Sequence, residues 1–490
     1  MYRTIFILLF FSLFYTGFTQ GWSTPVNVSN MGTHCNSPKM VVDHNGTIHA
    51  VWSSWVTQEY RKIMYSKSET NGDTWSTPIA IADDSLQWFA QPDIACDLQN
   101  HLYVSYEGDA MDPSSTRIYI VIFDGSQWGI PFAISENMYG SNNSIVLVDH
   151  SNRMYCFWHA WYNNEVKLVY KYHENNLWSQ PIIPYTQDGE FFWIKKVVAD
   201  SSNNLHCVGT HHYNNESRYK DRVIYCYFYR NTNQWATIEN ISDTTNRSWW
   251  GVSMDIDKNS IPHFAWRQYI SPRPSLENAT LYRYPTEMGW LQVDSVEVNH
   301  DSHAHQLVVD IGNKSNIVVV EWTIVNELTR LIHYKKVEAN WVGEVIDSIW
   351  GAVYAPNLIE ISNYDIALLY EVSSAYMGDT ILDIFFTKYD IFTNISELNT
   401  RIIELEVFPN PFNRQAEIKY NNHSECRVVL DILDFNGKLI ERLIDQTQSP
   451  GRYCHTWQCT GLNRKELNAG VYIVRLQAGR YVYSRKVVKL

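Results

Sequence analysis

Histidine, tyrosine and arginine recur in the segments between the predicted strands, and these side chains can do acid–base chemistry on a sugar. A neutral His beside a Tyr can act as the base and acid of a β-elimination from a uronic acid, while Arg stabilises the carboxylate. The residues that fit this scheme are His212, Tyr213, Arg247, Arg267 and His303. Most loop histidines have structural roles, so catalysis is one alternative and binding is another.

The same segments carry aromatic side chains that can stack on the apolar faces of sugar rings. The candidates for substrate binding are His34, Trp55, Trp88, Trp161, Trp193, Trp249, Trp250, His305 and Trp350. Some of these tryptophans could instead cap a central channel. The first expectation is therefore a glycan-binding protein without assured catalysis. The alternatives are a polysaccharide-degrading enzyme, either a uronic-acid lyase or a glycoside hydrolase, and a protein-binding surface scaffold.

Charge and cysteine usage narrow the possible ligands. The net charge is −13, and the first 400 residues hold 25 Lys and Arg against 43 Asp and Glu. A region this acidic lacks the basic surface that phosphate groups require, which argues against nucleic-acid binding. The eight Cys show no CxxC or Cys/His metal spacing, so neither a metal nor a cofactor is expected.

A repeat of an Asp, a turn, a short β-run and an aromatic residue supplies the scaffold for these segments. The Asp residues are Asp43, Asp97, Asp149, Asp200, Asp257 and Asp310, so their spacing is 51 to 57 residues. Each unit continues with another β-run and a Trp-led run. Four short antiparallel strands per unit of this length are typical of a propeller blade, and the count predicts an all-β, seven-bladed β-propeller over residues 20–392.

The N-terminal segment predicts export, and it also contains a strand that the last repeat unit lacks. Residues 1–19 hold one cation and a short apolar run, which is typical of a cleaved signal peptide, and no other segment is long and apolar enough to span a membrane. Residues 22–29, "WSTPVNVS", read like the Trp-led run that ends a repeat. The seventh unit lacks such a run, so we expect the N-terminal strand to close that blade and remove its exposed edge.

The two faces of such a propeller differ in sequence. The turns between first and second strands are short, whereas the segments on the opposite face are longer and rich in Trp, His, Tyr and Arg, for example "SSWVTQEYR" and "GTHHYNNESRYKDR". Loops on a rigid scaffold are the usual location of function. We therefore expect the site on the loop-rich face, and arginines including Arg267 on its loops. By contrast, His49, His206 and His263 occupy one repeated strand position and should be structural.

The string "SETNGDTW" (68–75) resembles the Asp-box of bacterial neuraminidase-type (BNR) repeats, S-x-D-x-G-x-T-W, and departs from it at Thr70. The resemblance implies a sialidase-like propeller over about residues 20–392, and it concerns fold rather than chemistry. A true sialidase is less expected, because the F/Y-R-I-P stretch near the start of the propeller is missing. The similar "YRYP" (282–285) lies in the fifth unit.

The tail has a different pattern after a linker at 393–401. Residues 402–490 contain, in order, FPNPF, D-x-x-G-K, G-x-Y-x-x-x-W, L-x-x-G-V-Y-I-V-R-L and R-K-V-V-K. This set resembles the C-terminal sorting domain of type IX secretion cargo, which has an Ig-like β-sandwich fold. The resemblance implies the type IX machinery as a partner, export across the outer membrane, and a product that is secreted or attached to the cell surface.

Overall fold

The computed structural model describes most of the chain after the predicted signal peptide, which itself lies outside the described residues, as does the predicted linker. The described residues are 21–57, 60–83, 88–109, 116–135, 138, 140–162, 165–175, 177–185, 190–213, 221–242, 248–269, 278–286, 289–299, 302–309, 315–323, 328–337, 340–350, 352–361, 365–376, 379–389, 405–422, 426–434, 438–449, 451–458, 467–478 and 481–489.

The regular structure of these residues consists of β-strands, which confirms the all-β prediction. No helix in the described ranges is long and apolar enough to cross a membrane. The chain divides into two compact units, Met1–Thr393 and Asn394–Leu490.

The first unit contains antiparallel sheets that follow one another along the chain, and we number them in that order. Sheet 1 holds β2 (His34–Val42), β3 (Ile48–Trp55), β4 (Arg61–Ser68) and β5 (Ile79–Ala82). Sheet 2 holds β6 (Trp88–Cys96), β7 (Leu102–Asp109), β8 (Arg117–Phe123) and β9 (Phe132–Ala133). Sheet 3 holds β10 (Asn142–Val148), β11 (Met154–Tyr162), β12 (Glu165–Glu174) and β13 (Leu177–Trp178).

The remaining sheets of this unit keep the same order, with small additions. Sheet 4 holds β14 (Glu190–Ala199), β15 (Leu205–Tyr213), β16 (Asp221–Tyr229), β17 (Gln234–Trp235) and β18 (Glu239–Asn240). Sheet 5 holds β19 (Ser248–Ile256), β20 (Pro262–Tyr269), β21 (Asn278–Arg283) and β24 (Asp294–Asn299), while β22 (Pro285–Thr286) pairs with β23 (Gly289–Trp290). Sheet 6 holds β25 (Ser302–Val309), β26 (Ser315–Thr323), β27 (Leu328–Val337) and β28 (Asn340–Trp350).

The N-terminal strand completes sheet 7, as the sequence predicts. That sheet holds β29 (Val353–Glu360), β30 (Ile366–Tyr376) and β31 (Asp379–Tyr389), and its fourth strand is β1 (Val26–Asn27). Val26 pairs with Phe386 and Trp22 bridges to Tyr389. The two ends of the unit are therefore joined by backbone hydrogen bonds, so that β31 is paired on both sides.

Apolar clusters lie between consecutive sheets. Separate clusters join sheet 1 to sheet 2, 2 to 3, 3 to 4, 4 to 5, 5 to 6 and 6 to 7, and a further cluster joins sheet 7 back to sheet 1. Large aromatic side chains such as Trp52, Trp158 and Trp266 are fully buried in these clusters. Each sheet thus buries apolar side chains against both neighbours, as expected when strands alternate between two covered faces.

The repeated Asp shapes the turn between the first and second strands. Asp43 Oδ1 accepts hydrogen bonds from the backbone N–H groups of Asn45 (2.9 Å) and Thr47 (2.8 Å). Asp97, Asp149, Asp200 and Asp257 bond in the same way to the residues two and four positions later. One carboxylate thus satisfies two backbone donors of a tight turn, which explains why the Asp recurs.

The structural role predicted for His49, His206 and His263 is confirmed. His49 Nδ1 lies 2.8 Å from Tyr65 Oη, and its Nε2 lies 3.4 Å from the turn carboxylate of Asp43. The other two histidines join Asp200 to Tyr225 and Asp257 to Tyr282 in the same arrangement. Burial lowers the pKa of all three imidazoles, that of His263 to about 4.

The Asp-box-like string forms the turn between β4 and β5. Ser68 Oγ accepts from Gly72 N at 2.8 Å, and Thr70 Oγ1 accepts from Thr74 N at 2.8 Å, so a threonine hydroxyl provides the acceptor where the Asp is missing. Gly72 has φ +87°, and an added Cβ would lie 2.0 Å from Phe386 Cε1. This turn therefore packs on the sheet that holds the N-terminal strand.

The second unit contains two sheets around one core. One sheet holds β32 (Glu406–Phe408), β33 (Ala416–Asn422) and β36 (Gly451–Trp457). The other holds β35 (Leu439–Gln448), β34 (Cys426–Asp434), β37 (Gly470–Ala478) and β38 (Tyr481–Lys489), in that order. Side chains of both sheets, with Trp457 fully buried, share one apolar cluster.

The buried histidines predict an acid-sensitive fold. The pKa of His263 is near 4 when folded and near 6.5 when unfolded, so the unfolded chain binds more protons between these values. Stability should therefore be lost as the pH falls below about 6.5, with the loss levelling off near pH 4. His263→Gln should destabilise the chain at pH 7, and its deficit should shrink by about 2 kcal/mol at pH 4.5 in urea unfolding. A deficit that is equal at both pH values would contradict this assignment.

Candidate functional site

In each sheet of the first unit, the start of the first strand lies against the end of the second. His34 pairs with Trp55 in sheet 1, Trp88 with Asp109 in sheet 2, and Glu190 with Tyr213 in sheet 4. We call this end of the sheets the loop-rich edge, because the long polar and aromatic segments connect here. The short Asp turns lie at the opposite end.

A β-bulge interrupts the first strand of each sheet close to the loop-rich edge. Register shifts occur at 36/39, 90/93, 142/145, 194/196, 248/252, 302/304 and 354/357. Four bulges contain a residue with positive φ: Ser37, Gln91, Asn143 and Ala355. Bulges bend a strand and re-aim its side chains, so these seven bulges set the direction in which the loop-rich edge presents its residues.

Side chains from one sheet reach the bulge of the next. Glu107 Oε1 accepts from Asn143 N at 2.7 Å, and His159 Nε2 accepts from Ile194 N at 3.2 Å. Glu371 accepts from the bulge N–H of Ser37, and Ser53 Oγ donates to Phe89 O at 2.9 Å. These bonds connect neighbouring loop-rich edges from sheet 7 through sheet 1 to sheet 4.

The residues that make these bonds occupy one repeat position, directly after the aromatic or Gly that ends the sequence repeat. The members whose side chains the structure describes are buried, and we call these six the polar floor: Ser53, Glu107, His159, Thr210, Arg267 and Glu371. Of these six residues only Arg267 is among the predicted site residues, because the other candidates were sought in loops. The signal was available, since the first five lie ten positions after a repeated Asp.

Two carboxyls of the polar floor have unusual acidity. Burial raises the pKa of Glu107 to about 7, and the hydrogen bond from Asn143 only partly offsets it. Burial raises the pKa of Glu371 to about 7 in the same way, against one bond from Ser37. A carboxyl that titrates near neutral pH can give or take a proton, which is how acid–base sites are built.

Arg267 lies in the polar floor and not on an exposed loop as expected. It is buried within β20, and its charge lowers the pKa of Glu297, which burial raises overall. Glu297 accepts from Tyr334 Oη at 2.8 Å and from Thr280 Oγ1 at 3.0 Å. Glu297 of sheet 5 is therefore bonded to Tyr334 of sheet 6, and the charge of Arg267 acts on the same carboxyl.

Aromatic candidates lie above this floor. Trp161, at the end of β11, is 55% exposed. Gly140 (φ +63°) leaves room for it, because a Cβ there would lie 2.5 Å from Trp161 Cδ1. The ring of Trp193 is 4.6 Å from that of His159. Exposed and half-buried indole rings beside buried polar groups suit a ligand with both apolar faces and hydroxyls.

Trp55 belongs to a stacked group at the edge of sheet 1. Its ring centroid is 4.4 Å from that of His34, and the guanidinium carbon of Arg61 lies 3.7 Å from the indole centroid. The structure thus brings the predicted residues His34 and Trp55 together, and it adds a cation on the indole face.

For most of the other predicted residues the structure describes only the backbone, and for one of them it describes nothing. Trp249 and Trp250 lie within the bulge of β19, and His303 lies within the bulge of β25. The strand positions of the remainder also fall at the loop-rich edge, and their side chains lie outside what the structure describes: Trp88, His212, Tyr213, His305 and Trp350. Arg247 lies outside the described residues altogether.

The described residues include no group of three or more His, Cys, Asp or Glu side chains arranged to hold a metal ion. Cys207 and Cys226 face each other across β15 and β16, and both are buried.

Replacing a carboxyl of the polar floor should stabilise the chain at high pH, whereas most substitutions of buried residues destabilise it. Because the folded-state pKa of Glu107 is raised, its stability contribution is full below about pH 4.5 and is lost as the pH rises through 7. Glu107→Gln supplies an amide oxygen as the acceptor for Asn143 N–H and has no carboxyl to ionise, so stability is not lost at high pH. The variant should be about 3 kcal/mol more stable than the parent in urea at pH 8, and nearly equal at pH 4.5.

The matched control for that comparison is Glu69→Gln, because Glu69 is an exposed carboxylate of the same unit. It should change stability little at either pH. A Glu107→Gln variant that is less stable than the parent at pH 8 would show that the carboxylate has a compensating partner.

Solved polysaccharide lyases have folds similar to that of this chain over about three quarters of its length. The polysaccharide lyase PL25 ulvan lyase, solved bound to -[GlcA(1-4)Rha3S]-, is similar with TM-score 0.52 and 13% identity over 78% of this chain and 98% of that chain. The polysaccharide lyase Uly1 is similar with TM-score 0.51 and 8% identity over 76% and 100%. The Hadza microbial sialidase Hz136 reaches TM-score 0.43 at 11% identity, over 74% and 66%. At these identities the likeness to the two lyases shows the fold alone, which is a β-propeller.

No curated protein matches the sequence of this chain. The family model of the secretion system C-terminal sorting domain matches residues 406–490, which lie in the second unit and carry the motifs that predicted it. Residues 406–490 are thus a type IX C-terminal sorting domain, and the chain is exported across the outer membrane to the cell surface or the extracellular space.

Proposed function

We propose that the first unit is a seven-bladed β-propeller that binds complex glycans at its loop-rich edge. Sheets 1 to 7 would be the blades, and the cluster that joins sheet 7 to sheet 1 supports a closed ring. The proposed domains are a signal peptide at 1–19, the propeller at 20–392, a linker at 393–401 and an Ig-like sandwich at 402–490.

The observation that carries this proposal is the Trp161 side chain. Trp161 is 55% exposed at a strand end, two residues after buried His159, so its indole face is available to stack on a ligand beside buried polar groups. Sugar rings offer an apolar face of the right size, and their hydroxyls need donors and acceptors like those of the polar floor. The solved PL25 ulvan lyase is bound to a uronic-acid-containing glycan, which favours an acidic polysaccharide.

A second candidate is a polysaccharide lyase that uses the same edge. Glu107 and Glu371, with pKa values near 7, and Arg267, whose charge lowers the pKa of Glu297, support it, because elimination from a uronic acid needs a base, an acid and a carboxylate-stabilising group. In this candidate His212, Tyr213 and His303 move protons, while Arg247 and Arg267 stabilise the carboxylate. The aromatic and histidine residues named for binding would hold the chain of sugars.

The deciding experiment is binding of the exported protein to a glycan array, followed by incubation with the glycans it retains. We expect retention of uronic-acid-containing polysaccharides. Intact recovered ligand would identify a binding protein, new absorbance at 235 nm a lyase, and cleavage without absorbance a glycoside hydrolase. Failure to retain any glycan would contradict the proposal and favour the protein-binding scaffold.

Trp161→Ala tests directly whether the exposed indole ring stacks on a bound glycan. Loss of one stacking ring should weaken binding of a retained glycan by about tenfold without changing thermal stability. Phe132→Ala is the control, because Phe132 is also an exposed aromatic but lies in the outermost strand of sheet 2. Equal affinities of the two variants, measured by titration calorimetry, would remove Trp161 from the site.

A further inference from the structure

The first strands of the seven sheets form a closed series of contacts. β2, β6, β10, β14, β19, β25 and β29 contact one another in this order, and β29 contacts β2. Lys195 belongs to β14 and lies in its bulge, between Ile194 and Lys196, close to the loop-rich edge. In the proposed propeller the first strands surround the central channel, so Lys195 lies at the mouth of that channel.

Lys195 stands where the bulges of other sheets have a buried, uncharged residue. The residue directly before the register resumes is a proline in sheets 1, 2 and 7, and all three are buried: Pro38, Pro92 and Pro356. In sheet 4 this residue is Lys195, whose side chain is exposed. The bulge forms in the other sheets without a charge, so the fold alone does not explain a cation at this position.

The two consecutive lysines of β14 differ in their electrostatic surroundings. Burial lowers the pKa of Lys196, while the charges of Asp255 and Asp93 raise it. Solvent reaches the side chain of Lys195, yet the surrounding protein also lowers its pKa, and within the described ranges it forms no ion pair. A recessed cation without a counter-charge costs free energy, and an anionic ligand would offset that cost.

Trp193 places this cation beside the candidate glycan site. Lys195 Nζ lies 6.0 Å from the centroid of the Trp193 ring, and that ring is 4.6 Å from the ring of His159. His159 accepts from the backbone N–H of Ile194, and the exposed Trp161 ends the same strand as His159. Indole rings, a buried polar group and a cation thus occur together at the loop-rich edge.

We propose that Lys195 binds the acidic group of the polysaccharide, a uronic-acid carboxylate or a sulfate ester, beside the sugar ring that Trp193 contacts. The identity of the polymer rests on the proposed function, whereas the anion site does not depend on it. An ammonium is a compact point charge that suits either anion. The first 400 residues hold 25 Lys and Arg against 43 Asp and Glu, so a polyanion needs such a local cation to offset the repulsion.

Anion binding can be measured on the exported protein after isotope-labelled methyl groups are attached to its lysine amines. Lys195→Arg identifies the Lys195 methyl signal in NMR spectra by its loss. This signal should shift with sodium glucuronate or sodium sulfate, relative to sodium chloride at equal ionic strength, and should stay unchanged with glucose. A response to one anion alone identifies the group that the site takes. No response to either anion would overturn the proposal.

Lys195→Met tests the consequence for a glycan that the protein retains. Methionine keeps much of the apolar stem and removes the charge, so binding of an acidic polysaccharide should weaken about tenfold, while binding of a neutral one should not change. Lys195→Arg should keep most of the affinity. Lys62→Met is the matched control, because Lys62 lies at the same edge and its Nζ is already 2.8 Å from Asp83 Oδ2.

The two measurements separate this inference from the proposed function. An acidic glycan that binds Lys195→Met as tightly as the parent would overturn the role of Lys195 and leave the glycan site standing. An anion-responsive Lys195 signal in a protein that retains no glycan would support the anion site and contradict the proposed function. Lys195→Met should keep the parent's thermal midpoint, and if the midpoint falls, the methyl signal of the parent decides.

Discussion

The first unit depends on the pairing of its two ends. β1 is only two residues long, yet it supplies the last strand of sheet 7, and the neighbouring Val28 is buried in the cluster between sheets 7 and 1. Because every sheet shares its apolar side chains with both neighbours, loss of β1 would expose part of one cluster and leave β31 unpaired on its outer side. The pairing of β1 with β31 thus ties the N-terminal segment to the last sheet of the unit.

Closure also allows polar groups to be buried where the sheets meet. A carboxyl inside a protein costs free energy unless it is hydrogen-bonded, and Glu107 and Glu371 each receive one bond from a neighbouring bulge. The polar floor differs in this respect from the Asp, His and Tyr networks at the opposite end, where the same residue types recur and satisfy one another. The residue types repeat from sheet to sheet at the Asp-turn end, which fits a structural role. They differ from sheet to sheet in the polar floor, which fits a role in binding a ligand.

The sequence predicted the scaffold well, because its signals are local. The repeated Asp, the Gly and Asn turns and the alternating runs each depend on a few adjacent residues, and the Trp22 strand followed from counting them. The polar floor was harder to predict, since a buried polar residue such as Glu107 is recognised only when the neighbouring sheet and its bulge are known. Arg267 shows the same limit: its neighbouring sequence predicts a loop, whereas β20 extends past it and Arg267 is buried. Exposure of Trp161 likewise depends on Gly140, which belongs to a different connection.

The most direct test of the account is a hydrogen-exchange footprint of a retained glycan on the exported protein. The account predicts slower exchange at the loop-rich edge, in residues 53–62, 138–144 and 159–167, and unchanged exchange at the Asp turns 43–47, 97–101 and 149–153. Protection of the Asp turns with no change at the loop-rich edge would contradict it, because the ligand would then lie at the end of the sheets where the residues serve the fold.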